Sequence, residues 1–132
     1  GIVNTTISKN KNQANEYSPL VLAYIGDAVY ELYVRKMLVK SSSMPVDKLH
    51  KTATSYVKAS AQSSSFKKIE DKLTEQEILI YKRGRNAKST VPKNADMTDY
   101  RIATGLEALI GYIYLTNQKQ RLDEIMSMIL SG

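Results

Sequence analysis

Two carboxylates in this chain stand in surroundings that do not suit them. Between Tyr17 and Tyr30 the only acidic side chain is Asp27, set in PLVLAYIGDAVY, and between Arg101 and Lys119 the only charged residue is Glu107, set in IATGLEALIGYIYL. An ionised carboxylate left unpaired among apolar groups is destabilising even after relaxation, and no basic residue lies within a turn of either one. Each must therefore face solvent, find a lysine, arginine or backbone donor on another element, or share a cation. If Gly26, Ala28, Ala108 and Gly111 let two helices cross closely, the carboxylates can meet at a divalent ion. Oxygen ligands without His or Cys select Mg²⁺ or Mn²⁺ over zinc. Magnesium held by few carboxylates and several waters is the form used on phosphate substrates, where it can supply hydroxide and neutralise charge on a phosphodiester. Spacing alone leaves these alternatives open.

Composition narrows the chemistry by exclusion. The 132 residues contain no cysteine and one histidine, His50, which removes thiol catalysis, cysteine-built zinc cages and most histidine-based triads. His50 reads as a surface or hydrogen-bonded residue rather than a base. With 42% hydrophobic and 24% charged residues the chain has an ordinary globular composition, and its length suits one domain with one core. No apolar run is long enough to span a membrane, and GIVNTTISKNKNQANEYS lacks the apolar stretch of a signal peptide, so the expected location is the cytoplasm.

A net charge of +6 points to a polyanionic partner. Residues 84–95, GRNAKSTVPKNA, hold a glycine, a proline and no acid, and lie among Lys82, Arg83, Arg85, Lys88 and Lys93. They predict an exposed basic loop. Many such runs are merely solvated, but the lack of interleaved acids favours phosphate contact, with Asn86 and Lys51 as weaker candidates. Glu31 can reach a cation at Asp27 through water or, more simply, pair with Arg35 at i+4.

The elements that must position these residues are helical. Ser18 and Pro19 supply an N-cap and a proline at the first helical position. The helix they open runs to about Val39, apolar all round its first three turns, which predicts a central helix buried on several sides. Ser41, Ser42, Ser43 and Pro45 break it, and Asp47 can cap a second helix with Leu49, Ala53, Tyr56 and Val57 on one face, ending near Ser63–Ser65. Thr74 and Glu77 form a capping box opening a short helix that stops at Gly84. From Asp96 or Thr98 a helix runs to Thr116, Asn117 ends it, and a last amphipathic helix carries Leu122, Ile125, Met126 and Ile129. No strand period appears. The expected organisation is a flexible polar segment over 1–17 and a single all-α domain over 18–132. Nine tyrosines against one phenylalanine, with Tyr24, Tyr30 and Tyr33 on different sides of the first helix, suit a subunit interface or plain core packing.

The segments AYIGDAVYELYVR (23–35) and GLEALIGYIYL (105–115) resemble the two carboxylate-bearing helices of the ribonuclease III family. DKLHK (47–51), KRGRNAK (82–88) and PKNADMTDYRIATGLEAL (92–109) are similar, in the same order, to further segments of its short bacterial branch, Mini-ribonuclease III. The resemblance runs from about Pro19 to Leu122. It implies an all-helical endonuclease domain acting as a homodimer with Mg²⁺, cutting double-stranded RNA to leave 5′-phosphate and 3′-hydroxyl ends. It also implies maturation of the ends of the 23S ribosomal RNA precursor, with a ribosomal protein as an assisting partner whose need the sequence leaves open. On this resemblance Asp27 matches the signature aspartate and Glu107 the distal glutamate, both catalytic metal ligands. Lys82, Arg83, Arg85, Asn86, Lys88 and Lys93 become the candidate RNA contacts.

Two departures matter. The larger enzymes carry a glutamate where this chain has Ala23 and an aspartate where it has Thr104, which implies one firmly held metal with more water ligands. Those departures are also the best argument for the alternative, a non-catalytic RNA-binding or ribosome-assembly module. A helix-turn-helix DNA binder is disfavoured by the lack of a short basic recognition helix. The family's separate double-stranded RNA-binding domain is not expected after the last helix, so binding falls to cations on the catalytic domain, which suffice for A-form RNA read by shape.

Overall fold

The computed structural model describes residues 16–131. Among them are six α-helices, a single 3₁₀ turn at Glu70–Lys72 and no strand. The helices are α1 (Pro19–Ser41), α2 (Val46–Val57), α3 (Ala59–Ile69), α4 (Glu75–Arg85), α5 (Met97–Leu115) and α6 (Lys119–Leu130). The all-α fold expected from the pattern is the one observed. Of the polar segment expected over 1–17, only Glu16 and Tyr17 fall among the described residues. No helix among those residues is long and apolar enough to cross a membrane.

The starts of α1, α4 and α5 follow their local chemistry, whereas Asp47 does not cap α2, whose N-cap is Pro45 with no side-chain bond. Ser18 Oγ accepts from the Val21 N–H at 3.2 Å. Thr74 and Glu77 make both bonds of the capping box, at 3.2 and 2.9 Å. Asp96, and not Thr98, caps α5 by accepting from the Asp99 N–H at 2.9 Å. Asn117 ends α5 at φ 59°, with its N–H on the Tyr114 carbonyl and that of Gln118 on the Ile113 carbonyl. This double bond pattern needs a left-handed residue, a conformation asparagine tolerates better than most.

The centre of the molecule is α5 and not α1. From Ala103 to Ile113 every residue of α5 except Glu107 is buried, because α1, α3, α4 and α6 all pack against it. Helix α1 buries Leu22, Ala23, Gly26, Val29, Tyr30, Val34 and Leu38. Val21, Tyr24, Leu32 and Val39 remain exposed, so its apolar perimeter marks one buried face and one open face.

Two further expectations give way to packing. The second helix does not run into the serine cluster: it stops at Val57, and α3 starts at Ala59, turning Gln62, Ser63, Phe66 and Ile69 inward. Gly84 does not end α4, which runs to Arg85 with Asn86 as its C-cap. A Cβ at Gly84 would lie 2.7 Å from Ala108 Cβ and 2.9 Å from Gly105 Cα, so the glycine lets α4 close on α5. Ala108 therefore serves that contact and not the α1 crossing, and Ala28 is exposed.

The α1–α5 crossing rests on Gly26 and Gly111. A Cβ on Gly26 would sit 1.7 Å from the Glu107 carbonyl oxygen, and one on Gly111 would sit 1.9 Å from that of Leu22. Backbone thus meets backbone beside both unusual carboxylates.

Candidate active site

Gly26 precedes Asp27, and the carbonyl it abuts belongs to Glu107, so the crossing fixes where both carboxylates emerge. They emerge together: the Asp27 carboxylate lies against that of Glu107. Their surroundings differ, since Asp27 is exposed while Glu107 is half-buried on α5. Asp27 thus does not sit in the core as its apolar neighbours suggested. The Glu107 carboxyl is pushed up to about 8. Burial is the largest cause, a donor bond from Gln62 opposes it, and the neighbouring Asp27 charge adds to the rise. Tyr30, 1% exposed, is raised as well, chiefly by burial, with its hydroxyl 3.5 Å from Ser65 Oγ and Glu107 adding a smaller push.

Neither carboxylate has an ion-pair partner among the described residues. Among the described residues no lysine or arginine neutralises them across the helix pair. The donor set, two convergent carboxyl groups with no cationic partner among the described residues, fits a hard divalent cation. No group of three or more His, Asp or Glu suited to a metal occurs among the described residues. Ala23 is buried, and the Thr104 hydroxyl donates to the Tyr100 carbonyl at 2.9 Å, so neither offers a replacement ligand. Glu31 pairs with Arg35 at 3.2 Å, and His50 is exposed on α2.

One residue of this site was not legible beforehand. Gln62 on α3, 2% exposed, donates from Nε2 to Glu107 Oε2 at 3.1 Å and to the Val57 carbonyl at 2.9 Å. A buried amide in a serine-rich stretch was the only available signal.

The cationic residues divide into two groups. Lys82, Arg83 and Arg85 belong to the last turn of α4 rather than to a loop, while Asn86, Lys88 and Lys93 lie between α4 and α5. Lys82, Lys88 and Lys93 are exposed and form no ion pair among the described residues. Arg85 stacks 5.7 Å over the Tyr81 ring and donates to Asn86 Oδ1 at 3.2 Å, and Arg83 reaches the Tyr17 carbonyl at 3.4 Å. Gly84 abuts Thr104, Gly105 and Ala108, so this stretch starts against the turn of α5 that carries Glu107.

Residues 20–118 match the Ribonuclease III domain. This chain belongs to the ribonuclease III family. Relatives named Mini-ribonuclease 3 place it in that branch. The protein from Clostridium tetani is 50% identical over 92% of this chain and 82% of its own length. That from Thermoanaerobacter sp. is 48% identical over 97% and 91%. A crystal structure of a Fusobacterium nucleatum protein shares the fold at a TM-score of 0.80 and 36% identity, covering 89% of this chain and 94% of that one. Membership makes this chain an endoribonuclease and sets aside the non-catalytic module.

Proposed function

We propose that this ribonuclease III family member hydrolyses double-stranded RNA with Mg²⁺, or Mn²⁺ in its place, held by Asp27 and Glu107. The observation that carries the reading is the convergence of those two carboxylates at the glycine crossing with no counter-ion. When bound, the cation supplies the Lewis acidity that phosphodiester hydrolysis requires. The chain's own residues set the stage for it. Exposed Asp27 faces the side from which substrate arrives, and Glu107 ties the site to the rigid core helix. Lys82, Lys88 and Lys93, with Arg83, Arg85 and Asn86 beside them, take phosphates and 2′-hydroxyls of an A-form duplex, a readout of shape with little sequence preference.

The functional unit is a homodimer. Support for it comes from the open face of α1, where Ala28, Leu32 and Tyr33 line, with Tyr114 and Leu122, a groove of about 520 Å³. A chain rarely leaves such an apolar line uncovered. The resemblance adds the substrate, the ends of the 23S ribosomal RNA precursor.

Long double-stranded RNA and duplex DNA, each incubated with the protein in Mg²⁺ and in EDTA, test the reading. RNA alone should shorten, and only with Mg²⁺. Asp27→Asn, which removes charge but not volume, should abolish cleavage while RNA retention in EDTA persists. Normal turnover by that variant would overturn the assignment.

A further inference from the structure

Glu107 is held by a residue that neither carboxylate-bearing helix supplies. Because α2 ends at Val57 and α3 starts afresh at Ala59, the Val57 carbonyl loses its place in a helical ladder and needs another donor. Gln62 Nε2 provides it at 2.9 Å and also donates to Glu107 Oε2 at 3.1 Å, which uses both protons of the amide. A carbonyl can only accept, so the Val57 oxygen determines which end of the amide faces Glu107. Turned over, the group would set its own oxygen against a carboxylate. At 2% exposure Gln62 has no solvent-facing rotamer to escape to. Its Oε1 is buried without a partner among the described residues. An unpaired buried acceptor is destabilising, a cost that a leucine or methionine at a purely structural position would avoid.

We propose that Gln62 is a positioning residue that locks the Glu107 carboxylate in the orientation that receives the divalent cation beside Asp27. The inference rests on the metal reading given above. A fixed donor on Oε2 stops the carboxylate from rotating, and partners of this kind typically contribute about 10- to 100-fold to metal affinity.

Gln62→Met keeps the length of the side chain and removes both donors. Mn²⁺ binding to the full chain without RNA, followed by the paramagnetic resonance of the free ion, should weaken about 10- to 100-fold in this variant. Double-stranded RNA retention in EDTA and the thermal midpoint should stay close to those of the unmutated chain. Equal Mn²⁺ affinity in the two proteins would overturn the positioning role and leave the metal site standing. Loss of RNA retention along with Mn²⁺ affinity would mark a structural role and overturn it too. Failure of the unmutated chain to bind Mn²⁺, or binding that survives Asp27→Asn, would overturn the metal reading and this inference with it. Should Gln62→Met not fold, the Gln62 side-chain amide protons of the unmutated chain decide. They should shift along the Mg²⁺ binding curve, and amide resonances that ignore a saturating titration would refute the lock.

Discussion

Helices α1 and α5 carry equally apolar stretches of sequence and have opposite fates. In α5 every residue from Ala103 to Ile113 except Glu107 is buried, whereas in α1 Tyr30 is 1% exposed and Tyr24, six residues earlier, is 81% exposed. The difference governs how each helix treats polar groups. Inside α5 Thr104 turns its hydroxyl onto the Tyr100 carbonyl and Glu107 takes a donor from Gln62, while the Tyr112 hydroxyl is left without a partner among the described residues. Asp27 on α1 is open to solvent. The site is therefore asymmetric, with one carboxylate set in the packed core and the other at its edge, and the two meet only because the helices touch at Gly26 and Gly111.

The largest expected effect attacks that contact. Gly111→Ala would bring a Cβ to 1.9 Å from the Leu22 carbonyl oxygen, and Gly26→Ala one to 1.7 Å from that of Glu107. Neither obstacle is a side chain that can swing away, so the helices must part. Each variant should lose about 3 kcal/mol or more in urea unfolding, at or beyond the upper end of ordinary overpacking. A loss under about 1 kcal/mol would show that the crossing is looser than its geometry implies.

The open face of α1 should respond in the opposite way. Leu32→Glu adds a charge at a residue 65% exposed and four positions before Lys36, a favourable helical pairing. The fold should keep its stability within about 0.5 kcal/mol, as surface changes usually do, while the dimer proposed above should give way to monomers in sedimentation. Leu106→Ala in α5, at a fully buried residue, should instead cost about 2–5 kcal/mol. Unchanged dimers in Leu32→Glu would remove the groove from the interface.

Glu107 also gives the site a pH dependence. Because the Glu107 carboxyl is raised from an ordinary 4.5 to about 8, the fold without cation favours its neutral form. Its contribution to stability in EDTA is therefore complete below 4.5 and lost as pH rises through about 8. A cation reverses the sign, since it binds the ionised group: Mg²⁺ affinity should climb with pH and level off above about 8. At pH 7 binding should release a proton, seen as a dependence of the calorimetric heat on the buffer's ionisation enthalpy. Asp27→Asn should bring the Glu107 carboxyl part of the way down, because burial, the larger cause, remains. Heats that ignore the buffer would sink the linkage.

How much of this was legible follows from where each signal resides. Helix ends are local, so Ser18, Thr74 with Glu77, Asp96 and Asn117 announce them through chemistry with their own neighbours. The paired carboxylates are legible for a related reason, since a charge in an apolar run is anomalous wherever the run packs. Which apolar face is core and which awaits another surface is not a local property, and α1 therefore looked central when α5 is. Gln62 was invisible because ASAQSSSFKKI has too few apolar residues to show a period. Its inward face exists only because Phe66, stacked on Tyr81 at 3.9 Å, and Ile69 turn it there. Gly84 was misread for the same reason, its small size serving a neighbour that lies far along the chain.

The smallest expected effect tests how completely α5 is enclosed. Tyr112 is 1% exposed, and its hydroxyl is buried with no partner among the described residues. Tyr112→Phe deletes that one oxygen and leaves the ring packing intact, so it removes a desolvated group without opening a cavity of consequence. Leaving a buried hydroxyl unpaired is destabilising by about 1–3 kcal/mol, so its removal should stabilise the fold by about 1 kcal/mol, or a few degrees in the thermal midpoint. Tyr24→Phe, at a residue 81% exposed, should change nothing measurable, because that hydroxyl is open to solvent. If Tyr112→Phe instead destabilises by a similar amount, an internal water must serve that hydroxyl. Helix α5 would then owe its polar satisfaction to trapped solvent, and its contrast with water-facing α1 would be one of degree.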